Sequence, residues 1–282
     1  MKKKINILPL IIIILLLITS IFGILSFNSS NGYEVTNQYG QVVKMYGSGI
    51  YAHDTYFKAP ISIGTDFCIL FVLIPLFAYF YWKNEREKSD KSHLLLLSVD
   101  ACALYYAASI AFGVTYNQLH LVYIALFSCS LFELFRAYKK IHLNALRYQK
   151  RNGVFVFLIL TGVALIVAWM PDIIPTLFHG GTLALIGVYT TEITYVLDMG
   201  IVGPLCLVTV YLLKKEDKLG IVILAALLMT CILVGIMMIP QTLCQMASGI
   251  ELPLPQILTK SGSFLLLGFF AFYFNRKLYK EL

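Results

Sequence analysis

Residues 190–204 read TTEITYVLDMGIVGP, and they set a glutamate and an aspartate into a segment otherwise apolar enough to cross a bilayer. Thr191, Thr194, Tyr195 and Asp198 recur at spacings of three, one and three, which puts them on one stripe of a helix. Further along that stripe stand Val202 and Leu205, so its polar character stops partway. Three other segments repeat the pattern. Gln241 and Gln245 are i, i+4 neighbours just beyond a kink expected at Pro240, Lys260, Ser261 and Ser263 open another apolar run, and Ser62, Thr65 and Asp66 precede FCILFVLIPLF. At 1.5 Å of rise per residue these groups reach a common level, roughly 5–10 Å inside the end of each span. A charge in hydrocarbon costs about 2.5–3.5 kcal/mol even on the lenient insertion scale, so such side chains face the interior of a bundle and find partners. The set Asp66, Thr191, Glu192, Thr194, Tyr195, Asp198, Gln241, Gln245, Lys260 and Ser263 is thus expected to line a polar cavity, with Glu192 at its rim and the carboxylates of Asp66 and Asp198 near Lys260. The competing expectation is structural: an Asp–Lys pair can fix helix register, and Gln or Ser can act as interhelical glue at about 0.6 kcal/mol each.

A smaller polar group falls at the opposite level. Asp100 and Glu133 lie on segments joined by the short TYNQ turn, with Arg136 one helical turn from Glu133, so a structural Asp100–Arg136 or Glu133–Arg136 pair is expected ahead of an ion relay. The histidines at 53, 120 and 179 show no metal spacing such as HExxH, and no metal is expected. The six cysteines all fall in apolar segments without a CxxC pair, which reads as packing rather than thiol chemistry.

The elements that must position these residues follow from composition. The chain of 282 residues is 59% hydrophobic and only 13% charged, with mean hydropathy +0.79. Soluble domains carry about 25% charged residues, so this composition calls for lipid as solvent. The apolar runs lack the period-2 alternation of barrel strands, leaving helices. Eight spans are expected, near 5–27, 61–82, 93–114, 118–138, 153–170, 192–213, 219–246 and 256–275. The fold class is all-α, a polytopic bundle forming a single integral membrane domain over 1–282. Placing Lys2, Lys3 and Lys4 in the cytoplasm puts all but Lys44, Lys58 and Lys260 of the 22 Lys and Arg residues on cytoplasmic flanks, so both termini are expected inside the plasma membrane. The net charge of +7 is then an orientation signal that also suits anionic lipid, not nucleic acid. The first span has the form of a signal peptide, but no small-x-small site precedes Asn28, which favours an uncleaved anchor.

Outside the spans, EVTNQYGQVVKMYG alternates as a hairpin would, with its turn at Gln38 to Gln41, and the glycines and proline of YGSGIYAHDTYFKAP suit a fixed lead-in to the second span. Residues 171–191, with Pro-Asp at the start and His-Gly-Gly at 179–181, read as a short surface helix and a turn. The stretch YGSGIYAHDTYFKAPISIGTDFC, together with the eight spans and TYVLDMG, resembles a bacterial family of multi-span membrane proteins with no named activity. That resemblance implies the span count and carries no cofactor or catalytic residue.

Three functions stay open. A binding or transport protein for a small cationic or polar solute, or a proton, would use Asp198 with Gln241 beside Pro240, and Gly200, Gly203 and Pro204 as a breakable helix. An extracytoplasmic membrane enzyme on a lipophilic substrate would use Asp198 or Glu192 as acid or base, with Lys260 as electrostatic stabiliser, although no GxSxG or SxxK context is present. A non-catalytic partner subunit would dock through its outer segments.

Overall fold

The protein is described by a computed structural model over residues 6–28 and 32–282, apart from the side chains of His179, Gln256 and Lys260. Among the described residues, eight helices are long and apolar enough to cross a membrane. They are α1 (Leu8–Leu25), α2 (Ala59–Glu87), α3 (Asp90–Gly113), α4 (His120–Tyr138), α5 (Asn152–Phe178), α6 (Ile193–Lys214), α7 (Leu219–Ala247) and α8 (Ile257–Glu281). The expected spans sit on these eight helices, but α2, α5 and α8 run on past the expected ends. Lys2, Lys3 and Lys4 lie outside the described residues.

Two helices form the centre. The apolar stretch of α3 is 72% buried and that of α7 is 61% buried, whereas that of α8 is 12% buried. The long α7 touches α2, α3, α6 and α8, and α1 packs on α2 and α4. Small residues let these helices close up: a Cβ on Gly235 of α7 would stand 3.0 Å from the Cα of Gly268 on α8, and one on Gly64 of α2 would fall 2.4 Å from the Cα of Gln241 on α7. Around the perimeter, large apolar side chains such as Phe71, Phe132, Leu160 and Phe269 stand exposed, a belt that suits contact with lipid.

Two spans widen where a proline follows. The π-turn Ile69–Leu73 in α2 precedes Pro75, and the π-turn Asp198–Val202 in α6 precedes Pro204. Proline has no N–H to give to the carbonyl four residues back, and its ring collides with that carbonyl. Those carbonyls belong to Phe71 and Gly200, and the wider turn makes room at each. By contrast, α7 runs through Pro240 as one helix from Leu219 to Ala247. In α5 the regular helix Asn152–Val167 stops and a second stretch, Met170–His179, takes over, with Trp169 at the break and Pro171 in the new first turn.

A cap closes one end of the bundle. Strands β1 (Tyr33–Thr36) and β2 (Val42–Met45) pair antiparallel with Thr36 opposite Val42. Asn37 organises the turn: its side-chain oxygen accepts from the N–H groups of Tyr39 and Gln41, and Gly40 takes φ +77°. The chain then makes a 3-10 turn at Gly49–Tyr51 and an isolated bridge from Thr55 back to Met45. The segment between α5 and α6 packs onto this hairpin, since Asn37 donates to the carbonyl of Gly187 (2.8 Å) and Gln38 to that of Tyr189 (3.3 Å).

Candidate functional site

Under the cap, a cavity of about 330 Å3 opens between α2, α3, α6, α7 and the break in α5. Its polar residues include Asp172, Glu192, Asp198, Lys58, Gln241 and Gln245, set among Tyr105, Tyr106, Trp169 and Tyr195, with Ile110, Met237, Met238 and Phe264 on the apolar walls.

Asp198 opens the π-turn of α6 and is 5% exposed. One of its oxygens accepts from the Tyr105 hydroxyl (3.1 Å) and the other from the Trp169 ring N–H (3.2 Å). Trp169 in turn stacks on Tyr195 with 4.6 Å between ring centres, and the Tyr195 hydroxyl donates to the exposed Asp172 (2.6 Å). Glu192 is ion-paired with Lys58, whose ammonium also lies 4.0 Å above the Tyr189 ring. On α7, Gln241 donates to Thr65 of α2 (2.7 Å) and Gln245 to the carbonyl of Phe57 (3.2 Å), which fixes α2 and its lead-in against the last turns of α7.

Of the residues expected from sequence, Glu192, Thr194, Tyr195, Asp198, Gln241 and Gln245 stand in the cavity wall. Thr191 is exposed ahead of the first turn of α6, Ser263 is exposed, and neither lines the cavity, where Ser261 stands instead. The Lys260 side chain lies outside the described residues, so its expected partnership with Asp66 and Asp198 does too. Asp66 does not join the wall. It is fully buried behind Tyr106, accepting 2.6 Å hydrogen bonds from the Tyr106 and Tyr51 hydroxyls, and a Cβ at Gly23 of α1 would fall 1.7 Å from its carboxylate. Asp66 and Asp198 are therefore held from different faces of α3, by Tyr106 and Tyr105. Equal depth along two helices sets height and leaves azimuth open.

Sequence reasoning missed Lys58, Tyr105, Tyr106, Trp169 and Asp172. A signal existed in the doublet Tyr105-Tyr106, whose two hydroxyls had to find partners once buried. Another was Trp169, one of two tryptophans in the chain, followed directly by Met-Pro-Asp.

At the other end of the bundle Glu133 takes the guanidinium of Arg136 at 2.6 and 2.5 Å, as one of the expected pairs. Asp100 is fully buried there, and neither of its oxygens has a hydrogen-bond partner. All six cysteines are free thiols. Among the described residues no group of three or more His, Cys, Asp or Glu could hold a metal ion; His53 instead meets the Tyr33 hydroxyl at 2.9 Å.

No protein-family model, no curated protein and no solved structure matches this chain, so the resemblance noted from sequence identifies no family.

Proposed function

We propose that the protein is a multi-pass protein of the plasma membrane, with both termini in the cytoplasm, whose cavity takes a small polar or cationic solute from the outer side, as a binding or transport protein does. The observation that carries this reading is the charge of the cavity wall: among the described lining residues, three carboxyl residues, Asp172, Glu192 and Asp198, stand against one basic residue, Lys58. A wall of that sign concentrates cations and repels anions. Two irregularities support it. The π-turn at Asp198 and the break at Trp169 both border the cavity, and irregular backbone at membrane depth is tolerated where it lines one. The orientation rests on the distribution of Lys and Arg.

The test is the sign of what enters. With Ser109 of the cavity wall changed to cysteine, intact cells are treated with a methanethiosulfonate carrying trimethylammonium or one carrying sulfonate, each rate normalised to a free thiol in solution. The cationic reagent is expected to label at least about tenfold faster, the low end of electrostatic focusing in clefts. Adding Asp172→Asn and Asp198→Asn should erase most of that ratio. Equal normalised rates in the parent would remove the reading.

A further inference from the structure

We infer that the cavity selects an organic cation without N–H groups, a quaternary ammonium with an apolar body, in preference to a metal ion, a proton or a sugar-like polar solute. This deepens the reading of the cavity as a cation site and rests on it.

The polar groups of the wall already serve each other. Each Asp198 oxygen accepts one hydrogen bond, from Tyr105 or Trp169; Asp172 accepts from Tyr195; Glu192 holds Lys58; and the side-chain amides of Gln241 and Gln245 donate to Thr65 and to the Phe57 carbonyl. A metal ion would have to strip several of these oxygens to gather the six or more ligands that hard cations take. A polyhydroxylated solute would need hydrogen-bond donors from the wall, and those of Tyr105, Trp169 and Tyr195 are already given to Asp198 and Asp172, so its own acceptor oxygens would go unmet at a cost in binding. A quaternary ammonium asks for neither. It needs negative potential and polarisable surface, which is what aromatic rings provide to such cations.

The carboxylates add to that surface from behind. Tyr105 and Trp169 donate to Asp198 and Tyr195 donates to Asp172, so three aromatic residues of the cavity wall each hand a proton toward an anionic partner. Donation of that kind raises electron density in the ring and strengthens its hold on a cation. The rest of the ligand meets Ile110, Val234, Met237, Met238 and Phe264, a wall of adaptable apolar side chains. A volume near 330 Å3 lies at the lower end of small-molecule sites and suits one aromatic ring with a trimethylammonium head.

The site contains its own reporter. The other tryptophan, Trp82, is half exposed near the far end of α2, 4.8 Å from the Arg86 guanidinium, so Trp82→Phe leaves Trp169 as the sole indole. The purified full chain carrying Trp82→Phe is titrated with phenyltrimethylammonium, with its neutral isostere tert-butylbenzene, and with sodium and potassium chloride, following indole emission. Saturable quenching by phenyltrimethylammonium, untouched by the alkali cations at a hundredfold excess and weakened at least tenfold in Asp198→Asn, is the expected result. Asp172→Asn, at an exposed position and so safe for folding, should weaken it severalfold. If sodium or potassium displaces the probe at comparable concentration, or shifts the emission when the ammonium does not, this inference falls while the cationic reading of the cavity stands. If tert-butylbenzene binds as tightly as the ammonium, charge contributes nothing and both fall.

Discussion

Asp54 shows what a single buried carboxyl does to the cap. It is 1% exposed; its Oδ1 accepts both from the Thr115 N–H (3.0 Å) and from the Tyr189 hydroxyl (2.8 Å), while Oδ2 has no partner. Through these contacts it joins the lead-in to α2, the α3–α4 turn and the segment before α6. Burial pushes its carboxyl up to about 6, against the hydrogen bonds from Thr115 and Tyr189 and the nearby Lys58, which pull it down. A folded-state value above the unfolded one means that the folded chain holds the extra proton, so the stabilisation is complete below about pH 4 and lost as pH rises through about 6. Its size is on the order of 3 kcal/mol, at 1.36 kcal/mol per unit. Thermal unfolding in detergent should therefore show the parent losing stability, relative to Asp54→Asn, between pH 4 and 6.5. Parallel profiles for the two proteins would refute the assignment.

The contact between α2 and α7 depends on one missing side chain. With its Cβ 2.4 Å from the Gln241 Cα, Gly64→Ala forces two backbones apart rather than nudging a flexible tip, and it strains the Gln241–Thr65 hydrogen bond as well. Overpacking of this kind costs typically 1–3 kcal/mol, and the expected loss here is about 2–3 kcal/mol in unfolding experiments, with the cavity wall disturbed. A variant as stable as the parent would contradict the close approach. This is also the scale at which the sequence was most and least informative. Hydropathy located the helices because twenty apolar residues in a row have few other uses. Depth was legible for Asp198, Gln241 and Gln245, and helical face for Asp198, and all three line the same cavity. It could not place Asp66, since whether a residue at a given height turns toward one neighbour or another depends on the packing order of helices distant in sequence. Gly200, Gly203 and Pro204 marked a breakable helix there but not its form, a π-turn at Asp198 whose widened turn shifts the 3.6-residue stripe on which the Val202 and Leu205 expectation relied.

For the whole molecule, the Lys and Arg distribution makes orientation testable. A cysteine at Ser48 should react with an impermeant reagent in intact cells and one at Ser89 should not; the reverse pattern would invert the protein and, with it, the side from which the cavity fills. The adjacent tyrosines of α3 carry a mechanical consequence for such filling. Successive residues on a helix project about 100° apart, so Tyr105 reaches Asp198 on α6 while Tyr106 reaches Asp66 on α2. The two carboxylates are thereby indexed through a single peptide unit, like two gears keyed to one shaft. If α6 slides along the bundle axis, it must either break the Tyr105 contact or drag α3, and a dragged α3 pulls on α2 and on α1 behind it.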